Sequence, residues 1–371
     1  MKPADRTVCT AGRKAGKTGV SHPLRPAPCI FRLMIACCLW GMCLVSCSPV
    51  RYVGIETYTP ASITFPRGME KVLILNNAAP QPEVPFTSTI REPSDSLRIA
   101  SDSALVDFCR TLGWKIAESP YFEDVRLYEG SYRTDQAFSS DVRLTGSEVR
   151  QLCGEHDVQA VISLDRLLFS ISEEVWKISV LDVLNEWHVA VSGVLRTYLP
   201  GGDTSLNVIY LADTVIPQLT SDNGWGDVRL LTPEQVLREV AAYVATEAYV
   251  HFVPYWREDM RWYYVSPDSR WKEAAAFAAA ERWENAATVW EALYEKAVSR
   301  KAKARLASNL ALGAELGGQL TAAKHWATLA HQYFAEYLNA DHSTVRLQKS
   351  YVEVLEQRIE AEKILHRQLE Q

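Results

Sequence analysis

The spacing of apolar residues changes near residue 267: before it, short apolar runs alternate with helical periods, and after it only helical spacing remains. Lys71-Val72-Leu73-Ile74-Leu75-Asn76 is a compact apolar run bounded by turn residues, which predicts a buried strand. Residues 77–95 are rich in Pro, Ser and Thr and predict a loop. Over Ser96–Trp114, Leu97, Ala100, Ala104, Leu105, Phe108 and Leu112 recur at helical spacing. Val125–Tyr128 predicts a short strand, and Thr145-Gly146-Ser147-Glu148 is a capping box opening a helix through Cys153. Val158–Ile171 predicts a long strand, Glu173-Glu174 a turn, and Ile178–Val183, Trp187–Tyr198 and Asn207–Gln218 an antiparallel meander. A second capping box, Thr232-Pro233-Glu234-Gln235, starts a helix through Val250. This order argues an α+β class, one sheet with helices packed on it over 71–266, followed by an all-helical part over 267–371.

Within the helical part the pattern repeats. Trp271-Lys272-Glu273-Ala274 starts one helix, Arg282–Tyr294 forms the next, and Asn309–Leu320 with Ala322–Ala330 repeats the pair. Small residues recur where paired helices would touch (Ala286, Ala323, Ala327), Gly317-Gly318 sits at a turn, and Trp283 and Leu320 hold equivalent places, with Trp290 one turn and more beyond the first. This resembles the tetratricopeptide repeat, which implies stacked helical hairpins; a plain helical bundle is the other reading. Ala286 to Ala323 exceeds the repeat's usual length of about 34 residues, so an extended loop after Tyr294 is expected. The amphipathic stretch Val345–Leu369 then serves as a third layer.

Ahead of the sheet, Arg32 precedes an apolar run from Leu33 to Val45. That run is shorter than the roughly 20 residues a membrane span needs and suits a signal peptide. Leu44-Val45-Ser46-Cys47 resembles the lipobox of bacterial lipoproteins, which implies cleavage before Cys47 and lipid on its sulfur. Residues 1–46 therefore read as leader and signal peptide, and 47–70 as a tether. Neither an Asp after the cysteine nor an acidic cluster is present, so the expected location is the outer membrane, facing the periplasm. Ala11–Thr18 mimics a phosphate loop but lacks the strand that such a loop needs.

Seven of the 39 Lys and Arg lie in that leader against one acid, leaving the rest at a net charge of −12. An acidic body repels phosphate backbones and excludes nucleic acid as a partner. Six of the eight cysteines lie at or before residue 47; Cys109 and Cys153 read as small buried hydrophobes, although an oxidising compartment would permit a bridge.

The whole arrangement is similar to a family of uncharacterised Bacteroidetes lipoproteins with C-terminal tetratricopeptide repeats, through the lipobox, Pro60–Pro66 and Val72–Asn77. The order of elements over Lys71–Phe169 also looks like the domain shared by the TolB N-terminal domain, CsgG and LpoB. No cofactor is implied, no catalytic motif is found, and the histidines are scattered without metal-ligand spacing. Glu247 and His251 share a helix face but read as a surface polar pair. Tyr249–Tyr264 packs eight aromatic rings, counting His251, into sixteen residues. It reads either as a core joining the two parts or as a binding platform formed by Tyr255, Trp256, Trp262 and Tyr263. The functional expectation is a non-enzymatic, membrane-anchored adaptor holding a protein partner at its helical repeats. A subunit of a secretion or envelope-assembly oligomer, and a glycan- or peptide-binding lipoprotein, are the alternatives.

Overall fold

In the first apolar run Val72 and Ile74 face one side and Leu73 and Leu75 the other, and all four are buried. Such a strand needs cover on both faces. The computed structural model describes residues 49–88, 99–177, 183–202, 204–217 and 232–370, and supplies that cover. The strands are β1 (Val50–Thr59), β2 (Lys71–Asn76), β3 (Phe86–Ser88), β4 (Asp124–Leu127), β5 (Ala160–Lys177), β6 (Val183–Tyr198), β7 (Asn207–Val215) and β8 (Tyr255–Tyr264). Among them lie the helices α1 (Asp102–Ala117), α2 (Gly146–His156) and α3 (Pro233–Ala248). After β8 come α4 (Ser269–Ala279), α5 (Trp283–Lys296), α6 (Arg300–Leu316), α7 (Leu320–Tyr337) and α8 (Ser343–Leu369). The expected α+β class holds: a sheet region followed by helices only.

The main sheet runs β4-β2-β5-β6-β7, parallel from β4 to β5 and antiparallel beyond, with β3 also parallel to β5. α1 and α3 cover one face and α2 the other. Both capping boxes form as the sequence predicts, Thr145 with Glu148 and Thr232 with Gln235. Cys109 on α1 and Cys153 on α2 therefore lie on opposite faces of the sheet, as buried free thiols.

Three predicted details differ. The first helix begins at Asp102 because Ile99 and Ser101 hold the preceding loop: Ser101 Oγ accepts from Gln81 N at 2.7 Å and Ile99 O accepts from Val84 N at 3.3 Å. That loop also contains β3, and Gln81 clamps β5 through both hydrogen bonds of the Phe169 backbone. Glu173-Glu174 is no turn but lies inside β5, which reaches Lys177; of the predicted strand Ile178–Val183, only Val183 lies within the described residues, as the first residue of β6.

A bulge at Asp165 switches the parity of β5. Ala160, Ile162 and Leu164 face the α1/α3 side before it, and Leu167, Phe169 and Ile171 face that side after it. Asp165 turns into the α2 side, fully buried, and accepts from Asn77 Nδ2 (3.0 Å), Ser163 Oγ (2.6 Å), Arg196 Nη1 (2.6 Å) and Tyr198 OH (3.0 Å). Arg196 also binds Asp141, and Asn77 Nδ2 donates to Val142 O at 2.9 Å, so the network holds the loop 128–145 over the ends of the parallel strands.

Just past the bulge, opposite Leu167, β6 carries Gly193, where a Cβ would stand 3.0 Å from Arg166 O, 3.0 Å from Leu167 Cδ1 and 3.2 Å from Leu211 Cδ1. Gly193→Val should therefore destabilise the protein by about 1–3 kcal/mol, read as a lower denaturant midpoint, because a backbone oxygen cannot yield as a side chain can.

From Val50 onward the chain is one compact unit. The expected tether is instead a strand: from Val50 to Thr59, β1 pairs antiparallel with β8 along its whole length, as a separate two-stranded ribbon. Ala61, Ile63 and Phe65 after it are buried. The ribbon belongs physically with the helices. Asn309 of α6, itself buried, receives from Tyr264 N (2.7 Å) and donates to Tyr264 O (2.8 Å), completing the edge of β8. Gln368 at the end of α8 grips the backbone of Ala61 from both sides (3.0 Å each) and also Ile63 O. β8, which precedes the expected division at 266/267, thus packs with the helices that follow it.

The helices stack as two antiparallel hairpins, α4–α5 and α6–α7, capped by α8. Ala286, Ala323 and Ala327 are buried at the crossings, as is Trp290; Trp283 is half-buried, Leu320 is buried and Gly317 and Gly318 form the exposed turn, Gly318 with φ +71°. Gly313 lets α6 approach α5, since a Cβ there would stand 3.2 Å from that of Ala287. The loop expected after Tyr294 is not extended. α6 starts at Arg300, and the extra residues lengthen the helices, because the basic run 300–305 is helical despite its charge.

Candidate functional site

β1 and β8 are ten-residue strands of alternating faces, so the ribbon presents two different surfaces. On one, Tyr58 and Trp256 stand opposite each other and stack at 4.9 Å, Trp256 being 65% exposed. The other carries Thr57, Asp259 and Arg261. Between ribbon and α8 lies a cleft of about 510 Å³, with Tyr58 and Trp256 at its mouth and Val354, Arg358 and Leu365 on the helix side.

Arg257, Asp259, Arg261 and Arg358 form a charged floor to the cleft, backed by the buried Glu315 of α6. Arg257 Nη2 donates to Asp259 Oδ2 (3.0 Å), and Arg261 reaches the same carboxylate at 3.8 Å. Arg261 then binds Glu315 of α6 with both arms of its guanidinium, Nε to Oε2 and Nη2 to Oε1 at 3.0 Å each. Tyr351 OH donates to Glu315 Oε2 at 2.6 Å, and Arg358 donates to Oε1. The Glu315 carboxylate is fully buried while Arg358 is partly open to the cleft. Bidentate pairing is the strong form of such a contact. Burial and then the Glu315 charge push the Tyr351 phenol well above its ordinary range, so it remains a donor. Burial opposes the charge on Arg261, but Glu315 outweighs it and holds the guanidinium pKa above its usual value. Although burial works against it, Arg257 keeps the Asp259 carboxyl below the usual range.

The four aromatics proposed as a platform are not brought together. Only Trp256 faces the cleft. Tyr255 lies edge-on to Tyr249 at 6.2 Å, Trp262 packs on Tyr351 at 5.3 Å, and Tyr263 is buried against Trp283 and Trp290. The aromatic segment is mainly core, joining ribbon to helices. Its true partner at the site, Tyr58, lay in the expected tether, and Arg261, Glu315, Tyr351 and Arg358 gave no local signal. His251 uses Nδ1 with Ser62 Oγ at 3.0 Å rather than pairing with Glu247, and burial lowers its pKa. Among the described residues no cluster of His, Cys, Asp or Glu could hold a metal ion, and no helix is long and apolar enough to cross a membrane. Leu44, Val45, Ser46 and Cys47 lie outside the described residues.

The model for a domain of unknown function, DUF8603, matches residues 69–264, just over half of the chain. The chain belongs to the DUF8603 family. In it the family segment takes in the main sheet and β8 but not β1. A second domain of unknown function, DUF6340, matches residues 272–357, from α4 into α8. The cleft of this DUF8603 member is thus assembled from both segments and from β1, which neither covers. No curated protein is similar to the chain by sequence. Two solved structures show slight likeness. One is a neuraminyllactose-binding hemagglutinin homolog from Helicobacter pylori, with 10% identity and a TM-score of 0.25 over 50% of this chain and 84% of that one. The other is the hypothetical protein CT253 from Chlamydia trachomatis, with 13% identity and a TM-score of 0.22 over 49% of this chain and 98% of that one. At those scores neither carries an inference.

Proposed function

We propose that this DUF8603 protein is a non-enzymatic lipoprotein, anchored through Cys47 to the outer membrane on its periplasmic side, whose cleft takes a segment of a protein partner. The observation that carries the reading is the Trp256–Tyr58 stack, a large apolar surface left open to solvent at the mouth of a charged cleft. Exposed aromatic side chains beside arginine are the chemistry of binding hot spots. Asp259 in the cleft and Glu315 behind it are both held by arginines, which supports binding over proton transfer.

Crosslinking in intact cells should capture a partner with the wild-type chain and lose it with Trp256→Ala. Because Trp256 is mostly exposed, the same variant should unfold within about 1 kcal/mol of wild type. Capture unchanged by Trp256→Ala would overturn the reading. The anchor is tested separately: Cys47→Ser should abolish lipid labelling and membrane fractionation.

A further inference from the structure

The ribbon has two ends. At one, Thr59 leads to the segment gripped by Gln368; at the other, Val50 pairs with Tyr264, and only Ser48 and Pro49 separate Val50 from Cys47. Three residues of chain reach no more than about 11 Å. Whatever holds Cys47 therefore holds the Val50 end of the ribbon close to it.

The side chains around that end differ from the rest of the body. Arg305 of α6 lies over the Tyr264 ring at 5.5 Å. Burial pushes the Tyr264 hydroxyl up to about 12, and Arg305, Tyr337 and Tyr52 are all close enough to act on it. Tyr52 is 69% exposed and Tyr337 38%. Arg51 follows Val50, and Lys301 stands one helical turn before Arg305, both exposed. Among the described residues none of Arg51, Lys301 and Arg305 has a carboxylate within ion-pair distance; the nearby Glu336 is taken by Arg300 at 2.8 Å. Three cations without a carboxylate at ion-pair distance among the described residues, Arg51 on one face of the ribbon's end and Lys301 and Arg305 on α6, thus stand with two exposed tyrosines in a body that carries a net −12 from residue 47 onward.

We infer that this end of the ribbon, with Arg51, Lys301, Arg305, Tyr52 and Tyr337, is the surface that lies against an anionic phospholipid bilayer and fixes the orientation of the anchored body. The inference rests on the lipid anchor proposed above. Tyrosine suits the interface because its ring is apolar and its hydroxyl wet, and each cation adds attraction to anionic headgroups. Acyl chains on Cys47 hold the chain at the membrane but leave the body free to turn, and an adjoining basic surface fixes how it sits. The orientation also places the cleft at the far end of β1, about 30 Å from the bilayer, where a periplasmic partner can reach it.

The test uses the full acylated chain in vesicles of phosphatidylcholine, alone or with one third phosphatidylglycerol. A water-soluble acetylating reagent is applied and the lysines are read by mass spectrometry. Lys301 should label about fivefold less in the anionic vesicles, while Lys363, exposed near the opposite end of α8, should label equally in both. Arg51→Glu with Arg305→Glu should restore Lys301 labelling without touching that lysine. Equal labelling of Lys301 in both vesicles, or protection already present in detergent solution, overturns the inference. The same spectra report the mass of the peptide beginning at Cys47. Loss of the acyl mass marks failure of the anchor, whereas an acylated chain with an unprotected Lys301 marks failure of the orientation alone.

Discussion

Glu315→Ala should lower the unfolding free energy by about 3–5 kcal/mol, a loss larger than any single surface change would give. The carboxylate is fully buried and accepts from both arms of the nearly inaccessible guanidinium of Arg261, whose second acid, Asp259, stands at 3.8 Å. Removing it leaves the Arg261 and Arg358 guanidiniums without the carboxylate they share, and the Tyr351 hydroxyl unsatisfied beside them. The ion pair itself need not be a net gain, since burying both charges costs nearly what their attraction returns. Two experiments separate these terms. Denaturant unfolding of Glu315→Ala should show a lower midpoint at unchanged slope, a pure loss of stability. The double change Arg261→Met with Glu315→Leu should regain more than half of it, because Arg358 can turn to water and no charge is stranded. A double variant as unstable as the single one would mean that the pair contributes directly rather than through the charge it neutralises. In either case the cleft floor is altered, so partner capture should fall with both.

The sequence told most where the physics is local. The capping boxes at Thr145 and Thr232, the apolar run at Lys71–Asn76 and the alanine spacing after residue 282 each depend on neighbours within a few positions, and each forms as expected. The ribbon depends on partners some 200 residues apart, such as Thr57 and Arg257. Nothing in the first strand names the second. β8 also hides its alternation, because helices wrap both faces of its far end and leave Trp262, Tyr263 and Tyr264 all covered to some degree. Glu315, between Ala314 and Leu316 near a helix end, looks like any solvated acid; only the approach of β8 makes it the centre of a network. The bulge left a trace that a continuous apolar run obscured: the apolar positions of β5 pass from even numbers to odd across Asp165. A charged residue at the point where a strand changes parity is a signal that pattern reading alone can use.

That residue is the second place where one substitution should matter most. Asp165→Ala should cost as much as the loss of Glu315, about 3–5 kcal/mol, because four donors converge on its carboxylate and Arg196, almost wholly buried, would keep only Asp141. Should this variant fail to accumulate as folded protein, Asp165→Asn keeps one acceptor oxygen and should fold with a smaller deficit. Hydrogen exchange distinguishes a general loss from a specific one: in Asp165→Asn the amides of 128–145 should exchange faster while those of α3, on the other face, stay protected. The same loop should be the first to loosen in acid. Arg196 holds the Asp141 carboxyl below its ordinary range, so the native state binds that proton more weakly than the unfolded chain does. The stabilisation is complete above about pH 4, the unfolded value, and is lost as pH falls through the lower native value. Faster exchange of 128–145 at low pH, ahead of α1, would show that the buried acid at the bulge exists to pin this loop across the strand ends; uniform loosening would assign the network to the core as a whole.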